Sequence, residues 1–354
     1  MIAAASAPRA LLVSWLAVLR LPRIPLCAAF LVLCSCGALV PADPTQSDDE
    51  ESDSSPTAGE TADTTPTSSS SDSGPPPDPA DIVVATFNVL RFFDTTCDSN
   101  QCGNDDYEEV PTQGQFDYRA DSLTEAILGL DADIVILQEV ETQDCIDALS
   151  ARLGDQYPTA IHGETKLALA GSVDVAILSR HPSTEIRRHA DVPLQRPSGG
   201  KTWFSREFLE VHLDADGHQV IVFAAHFKAK SDDDPERRLA EATRAREIMD
   251  AVAEQNADAM VVLGGDLNDT PGSPPLDALE AGGGMVRVAA ELAPEDWTYR
   301  YMDDLRPLDH IYQATAATGA VYIAGSARVF RGDNGTSGYG GSDHAAVRAS
   351  FHAE

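Results

Sequence analysis

From residue 81 onward, short apolar runs recur with polar punctuation between them. They are "DIVVATF" (81–87), "DIVILQ" (133–138), "VDVAIL" (173–178), "EFLEVHL" (207–213), "QVIVFAAHF" (219–227), "MVVLGG" (260–265), "DHIYQ" (309–313) and "AAVRASF" (345–351). Each has the length of a strand. Some are continuously apolar, as strands covered on both faces must be, and others alternate. Helical spacing lies between them. Tyr118 to Leu130 sets Leu123, Ile127 and Leu130 on one face, and "PERRLAEATRAREIMDAVAEQ" opens with Pro235, where a first helical turn tolerates proline. The mixture predicts sheets covered by helices on one side and by another sheet on the other. With no internal repeat and no second linker, residues 81–354 read as one α/β domain.

The first 80 residues follow a different pattern. Arg20 and Arg23 precede the apolar run "IPLCAAFLVL", and "LCSCG" (33–37) follows. A run of about ten apolar residues suits the core of an export signal and is short for a membrane span. The order Leu33, Cys34, Ser35, Cys36 resembles a bacterial lipobox. That resemblance implies cleavage before Cys36, lipidation of its thiol, and a place in the bacterial cell envelope. A plain secretory signal, with an extracellular product, and an uncleaved anchor are the alternatives. Residues 37–80 are Ser, Thr, Pro, Asp and Glu with almost no large apolar side chain, so they cannot offset ordering entropy and read as a disordered acidic tether.

Charge narrows the partners. The chain carries a formal net charge of −32, and residues 81–354 alone hold 22 basic and 47 acidic residues. Such a body lacks the basic footprint of a nucleic-acid binder, yet screening over roughly 8 Å at physiological salt lets a local basic patch act. Three cysteines follow the leader. Cys97 and Cys102 flank the polar loop "CDSNQC" and are expected to pair, leaving Cys145 free; a Cys102–Cys145 pairing is the alternative. No zinc-type ligand spacing accompanies them.

Chemically capable residues sit where the apolar runs end: Asn88, Glu139, His226, Asp266, Asn268 and Asp309, with Asp343 and His344 after a Gly-rich loop. Converged, they would form an oxygen-rich cluster suited to a hard divalent cation, Mg²⁺ first, with Mn²⁺ or Ca²⁺ as alternatives. Two carboxylates about 4 Å apart repel by roughly 4 kcal/mol at an effective dielectric of 20, so such a cluster calls for a counter-ion. Asp266 and Asn268, two apart, are expected to point the same way from a strand end.

The segments "TFNVL", "LQEV", "GDLND", "LDHI" and "SDH", in this order, resemble the endonuclease/exonuclease/phosphatase superfamily. That group includes deoxyribonuclease I, abasic-site endonucleases, sphingomyelinases and inositol polyphosphate phosphatases. "FSRE" (204–207) and "HFKAK" (226–230) resemble its deoxyribonuclease-like and bacterial extracellular nuclease members. The resemblance spans 81–354 and implies a four-layer α/β sandwich, two packed mixed sheets flanked by helices. It implies that Asn88, Glu139 and Asp343 hold the metal, and that Asp266 and Asn268 orient the attacking water or the phosphate. Asp309 and His344 match the paired acid and imidazole, and His344 then serves as general base or stabilises phosphoryl charge. His226 would protonate the leaving oxygen. Arg206 would clamp a phosphate oxygen, with Lys228 close behind.

Each residue also has a plainer reading. Asn88 and "GDLND" suit turns, Glu139 a solvated strand end, and Asp343–His344 a loop pair. Asp174 could orient His226 or be structural. His162, His181, His189, His212 and His218 read as surface residues, and Arg237, Arg238, Arg244 and Arg246 as a solvated helix face. The function expected is a metal-dependent phosphodiesterase cleaving DNA or RNA outside the cytoplasm, as a monomer with no protein partner. One alternative is hydrolysis of phospholipid head groups or inositol phosphates, for which the aromatic segment 285–306, with Trp297, Tyr299 and Tyr301, is a faint pointer. A non-catalytic surface binding module is the other.

Overall fold

The computed structural model describes residues 81–354 apart from 104, 165–170, 293–295, 333, 334 and 336. The leader (1–36) with Cys36 and the tether (37–80) lie outside the described residues. In chain order the elements are β1 (Asp81–Phe92), α1 (Gln113–Gly129), β2 (Ile134–Val140), α2 (Gln143–Leu153), β3 (Thr159–His162), β4 (Asp174–Ser179) and β5 (Ser183–Arg188). Next come β6 (Leu194–Gln195), β7 (Lys201–Thr202), β8 (Leu209–Ala215), β9 (His218–His226), α3 (Pro235–Gln255), β10 (Met260–Asp266) and α4 (Pro274–Glu280). The chain closes with β11 (Met285–Arg287), β12 (Tyr299–Tyr301), β13 (Asp304–Arg306), β14 (Asp309–Ala314), β15 (Ala320–Tyr322), β16 (Arg328–Phe330) and β17 (Ala346–Ala353).

Two large mixed sheets result. One runs β15-β17-β1-β2-β4-β3, with β16 also on β17, and the other β11-β14-β10-β9-β8-β5. Side-chain parity explains how they pack. Along β1, Ile82 and Val84 face the second sheet, while Val83, Ala85 and Phe87 pack on the helical side with Leu123 and Ile127 of α1 and Ile146 and Leu149 of α2. Along β10, Met260 and Val262 face the first sheet, while Val261 and Leu263 pack with Ala245 and Met249 of α3. This is the predicted four-layer sandwich.

The helices begin where the local chemistry allows. Thr112 and Gln115 form a reciprocal capping box at α1. Thr142 caps α2 by accepting the Cys145 N–H, and Asp234 caps α3 ahead of Pro235. Helix α2 and the short strands β3 and β5 were not legible as separate elements. Among the described residues, no helix is long and apolar enough to cross a membrane.

Several residues expected at the surface are inside. Arg238 is buried on α3 because its guanidinium pairs with Asp269 at 2.9 Å and Asp233 at 2.9 Å. His162 is buried against the Val140 carbonyl. His212 and His189 meet Glu210 at 2.6 and 2.8 Å, and Arg187 reaches the same buried carboxylate at 3.0 Å. Burial alone would raise the Glu210 carboxyl, but hydrogen bonds from His189 and His212 outweigh it and pull it down to about 2. A depressed folded value contributes stability above the unfolded value of 4.5, which is lost as pH falls toward about 2. Glu210→Gln, which leaves Arg187, His189 and His212 facing a neutral amide at a buried position, is expected to cost about 3–5 kcal/mol at neutral pH. The same substitution should flatten the acid limb of stability between those two values; urea midpoints across that range check both.

Candidate active site

Strand parity carries polar residues to one end of the seam between the sheets. Thr86, Asn88 and Gln138 continue the inward rows of β1 and β2, and His226, Asp266 and Asp309 continue those of β9, β10 and β14. Asp266 is the direct register partner of both His226 and Asp309. Asn88 Nδ2 bridges the sheets, donating to Asp266 Oδ2 at 3.0 Å and to Glu139 Oε1 at 3.2 Å. Both imidazoles converge on the same oxygen, His226 Nε2 at 3.6 Å and His344 Nε2 at 3.7 Å. On its far side the His344 ring meets Asp309, Nδ1 to Oδ2, at 2.8 Å.

Glu139 reaches this place by an irregularity. Its parity would turn it toward the helices, but its φ is 66° and the β2 register shifts between Gln138 and Val140. Opposite, Leu90 and Arg91 also take positive φ at a shift in the β1–β2 pairing, and the Arg91 N–H donates to Glu139 Oε2 at 2.9 Å. Left-handed backbone at non-glycine residues costs energy and clusters at functional sites.

Asn268 joins for a reason other than the one expected. Strand β10 ends at Asp266, so the two-residue alternation does not apply. Asn268 lies in a left-handed turn, φ 53°, its N–H donating to Asp266 Oδ1 at 2.9 Å and its amide to the Phe227 carbonyl at 3.1 Å. Arg206 lies at the margin, its guanidinium beside the Tyr107 hydroxyl and near His226. Lys228 is turned away, its ammonium 3.5 Å from Asp232. Asp174 accepts the Glu207 N–H at 3.2 Å and so holds the loop before β8, while His226 Nδ1 has no hydrogen-bond partner among the described residues. Cys97 and Cys102 are joined by a disulfide, and Cys145 is free and buried.

Other contributors had no local signal. Thr298 Oγ1 accepts the N–H groups of Leu308 and Asp309, at 2.8 and 3.0 Å, which fixes the start of β14. Ser342 Oγ accepts the His344 N–H at 2.9 Å and donates to the Asn88 carbonyl at 2.8 Å, tying the Gly-rich loop to β1. The Tyr299 ring lies 4.8 Å from that of His344. Only Ser342 could have been noticed, as part of "SDH"; the others act across the fold.

The electrostatics split the two imidazoles. Burial opposes charge on His344, but Asp309 and Asp266 outweigh it and hold the ring well above its ordinary value, so it is protonated at neutral pH. His226 is held well below its ordinary value by burial, reinforced by Arg206 and His344, and is neutral. Burial, with Asp309 and Glu139 adding, raises the Asp266 carboxyl, and burial likewise raises Asp343. Asp343 Oδ1 and Asp309 Oδ1 are buried without hydrogen-bond partners among the described residues. Crowded acids with orphaned oxygens fit a hard divalent cation. Ligand atoms of Asp266, Asp309 and His344 lie within 4.8 Å of one another, and Glu139, beside Asn88, and Asp343, with its orphaned Oδ1, add further carboxylate oxygens.

Two packed mixed sheets with an acid–imidazole cluster at their shared end define a deoxyribonuclease I-like phosphoester hydrolase. The chain belongs to the endonuclease/exonuclease/phosphatase family, whose pattern matches residues 85–344. Solved structures with this fold include Danio rerio TDP2 complexed with a single-strand DNA product (16% identity, TM-score 0.52, 77% of this chain and 99% of that one). They also include the endonuclease/exonuclease/phosphatase from Bacteroides vulgatus (19%, 0.54, 77% and 99%) and beta toxin from Staphylococcus aureus (19%, 0.52, 76% and 99%). At such identities the likeness speaks for the fold alone. No curated protein sequence matches the chain.

Proposed function

We propose that the protein is a divalent-cation-dependent phosphodiesterase that hydrolyses nucleic acid at or outside the bacterial cell envelope, held there through Cys36. The observation that carries the reading is one buried carboxylate oxygen, Asp266 Oδ2, facing His226 at 3.6 Å and an Asp309-anchored His344 at 3.7 Å.

Asp309 fixes the His344 ring and sustains its charge, so His344 would meet a phosphoryl oxygen as a cation. Asp266, a buried carboxylate of raised basicity, would orient water and take its proton. His226 faces the same oxygen at 3.6 Å and, as the family resemblance implies, would protonate the leaving oxygen. Arg206, at the margin beside Tyr107, would grip a phosphate oxygen. The cation would be held by Glu139 and Asp343 with Asn88 beside them; bound, it supplies Lewis-acid polarisation of the phosphate.

The "FSRE" and "HFKAK" segments favour nucleic acid over other phosphoesters. The second reading, phospholipid head groups, draws on the β12–β13 hairpin, where Tyr301, Met302 and Leu305 are exposed. Trp297 adds nothing to that surface because it is buried under Arg331. Full-length protein offered supercoiled plasmid, sphingomyelin vesicles and inositol phosphates in equal Mg²⁺ separates the readings. Plasmid cleavage at least about a hundredfold above the other substrates is expected, since a site built for one substrate's polar groups discriminates by that much or more. Faster release of a phospholipid head group would overturn the nuclease reading.

A further inference from the structure

The loop between β1 and α1 holds a second group of acids, separate from the seam. It is closed by the Cys97–Cys102 disulfide and contains Asp94, Asp98, Asp105, Asp106, Glu108 and Glu109. Its inner face packs on the start of α2. The Asp94 N–H donates to Glu141 Oε2 at 2.7 Å, and Thr142 Oγ1 donates to Asp94 Oδ2 at 2.8 Å. Glu108 folds back into the loop, accepting the N–H groups of Asp98 and Ser99 at 2.6 and 2.8 Å. Its carboxyl lies against that of Glu141. The backbone at Gly171 presses so closely that a Cβ there would stand 2.1 Å from Glu108 Oε2, so the group is enclosed from that side too.

Asp94, Glu108 and Glu141 are 7%, 2% and 5% exposed. Among the described residues, no Lys, Arg or His forms an ion pair with any of them. Glu141 Oε1 is buried and has no hydrogen-bond partner among the described residues, yet oxygens of Asp94 and Glu141 lie within 4.8 Å of each other and of Cys145 Sγ. Buried carboxylates this close repel strongly, and an orphaned oxygen adds its desolvation cost. Cys145 donates its S–H to the Phe92 carbonyl at 3.2 Å, and burial pushes its thiol up to about 12. With its S–H turned to that carbonyl the sulfur is already engaged, and the donors left to the group are carboxylate oxygens.

We infer that Asp94, Glu108 and Glu141 form a structural binding site for a hard divalent cation, Ca²⁺ before Mg²⁺, distinct from the metal centre at the seam. Ca²⁺ suits the site because it accepts several carboxylates in irregular geometry, whereas Mg²⁺ demands an octahedron and keeps its waters. The position gives the site a purpose. Glu141 lies two residues beyond Glu139, and its N–H donates to the Phe92 carbonyl at 3.1 Å, immediately past the β1–β2 irregularity. A cation there staples the loop to the end of β2 and so holds the left-handed turn that delivers Glu139.

The test uses the full-length chain, stripped with chelator, and reads melting temperature and bound ⁴⁵Ca²⁺ in equilibrium dialysis. About 1 mM Ca²⁺, the range of extracellular calcium modules, is expected to raise the melting temperature of the native protein by roughly 3–8 °C. Asp343→Asn, at the seam, should keep that rise. Glu141→Gln should lose it together with one equivalent of Ca²⁺, and Asp94→Asn serves if Glu141→Gln does not fold. A native protein whose melting temperature ignores Ca²⁺, or a Glu141→Gln protein with an undiminished rise, overturns the site. So does a Glu141→Gln protein more stable than the native one at every Ca²⁺ concentration, the signature of a proton shared between Glu108 and Glu141.

Discussion

Alanine at Asp266 is expected to lower phosphodiester cleavage by at least about a thousandfold while leaving the protein folded. The size follows from how much converges on one side chain. Its Oδ2 faces Asn88, His226 and His344, and its Oδ1 accepts the Asn268 N–H. Removing it takes away the acceptor that orients water and the charge that helps keep His344 protonated, and groups acting as one unit fail together. Stability should not follow activity down. Burial first, with Asp309 and Glu139 adding to it against His344, raises the Asp266 carboxyl, so its removal relieves a burial cost that sites of this kind store. Single-turnover cleavage rates beside urea midpoints make the check. Retention of more than about a tenth of the native rate would remove Asp266 from the centre of the mechanism.

Gly265→Ala is expected to destabilise the fold by about 3 kcal/mol or more, although it adds a single methyl group and touches no charged residue. A Cβ at Gly265 would stand 2.1 Å from the Ala225 carbonyl oxygen and 2.9 Å from its carbon. Those are backbone atoms of the parallel neighbour β9, in direct register with Gly265. They cannot move unless the ladder parts at the point where it carries His226 and Asp266. Gly114→Ala, in the first turn of α1 with nothing within 4 Å of the new methyl, is the control and should be neutral or slightly stabilising. Denaturant midpoints decide it, and equal midpoints for Gly265→Ala and the native protein would contradict the close approach.

Strand parity explains how much was visible beforehand. The apolar runs fall on the strands of both large sheets, and Asn88, His226, Asp266 and Asp309 stand at their inward-facing ends, so one-dimensional spacing carried three-dimensional information. What escaped depends on backbone conformation or long-range pairing. Asn268 and Glu139 are placed by positive φ rather than by alternation. Lys228 follows His226 closely, yet it turns to Asp232 once β9 has ended. Arg238 has the spacing of a solvated helix residue, but Asp269, 31 residues away, draws it inside. Thr298, Ser342 and Tyr107 act on partners that no local pattern reveals.

Supercoiled-plasmid nicking by the full-length protein in Mg²⁺, beside an EDTA control and the Asp266→Ala variant, tests the central claim most directly. The account predicts nicking by the native protein that EDTA abolishes and Asp266→Ala lacks. An intact plasmid left by folded native protein, or nicking that survives both EDTA and the substitution, would contradict it.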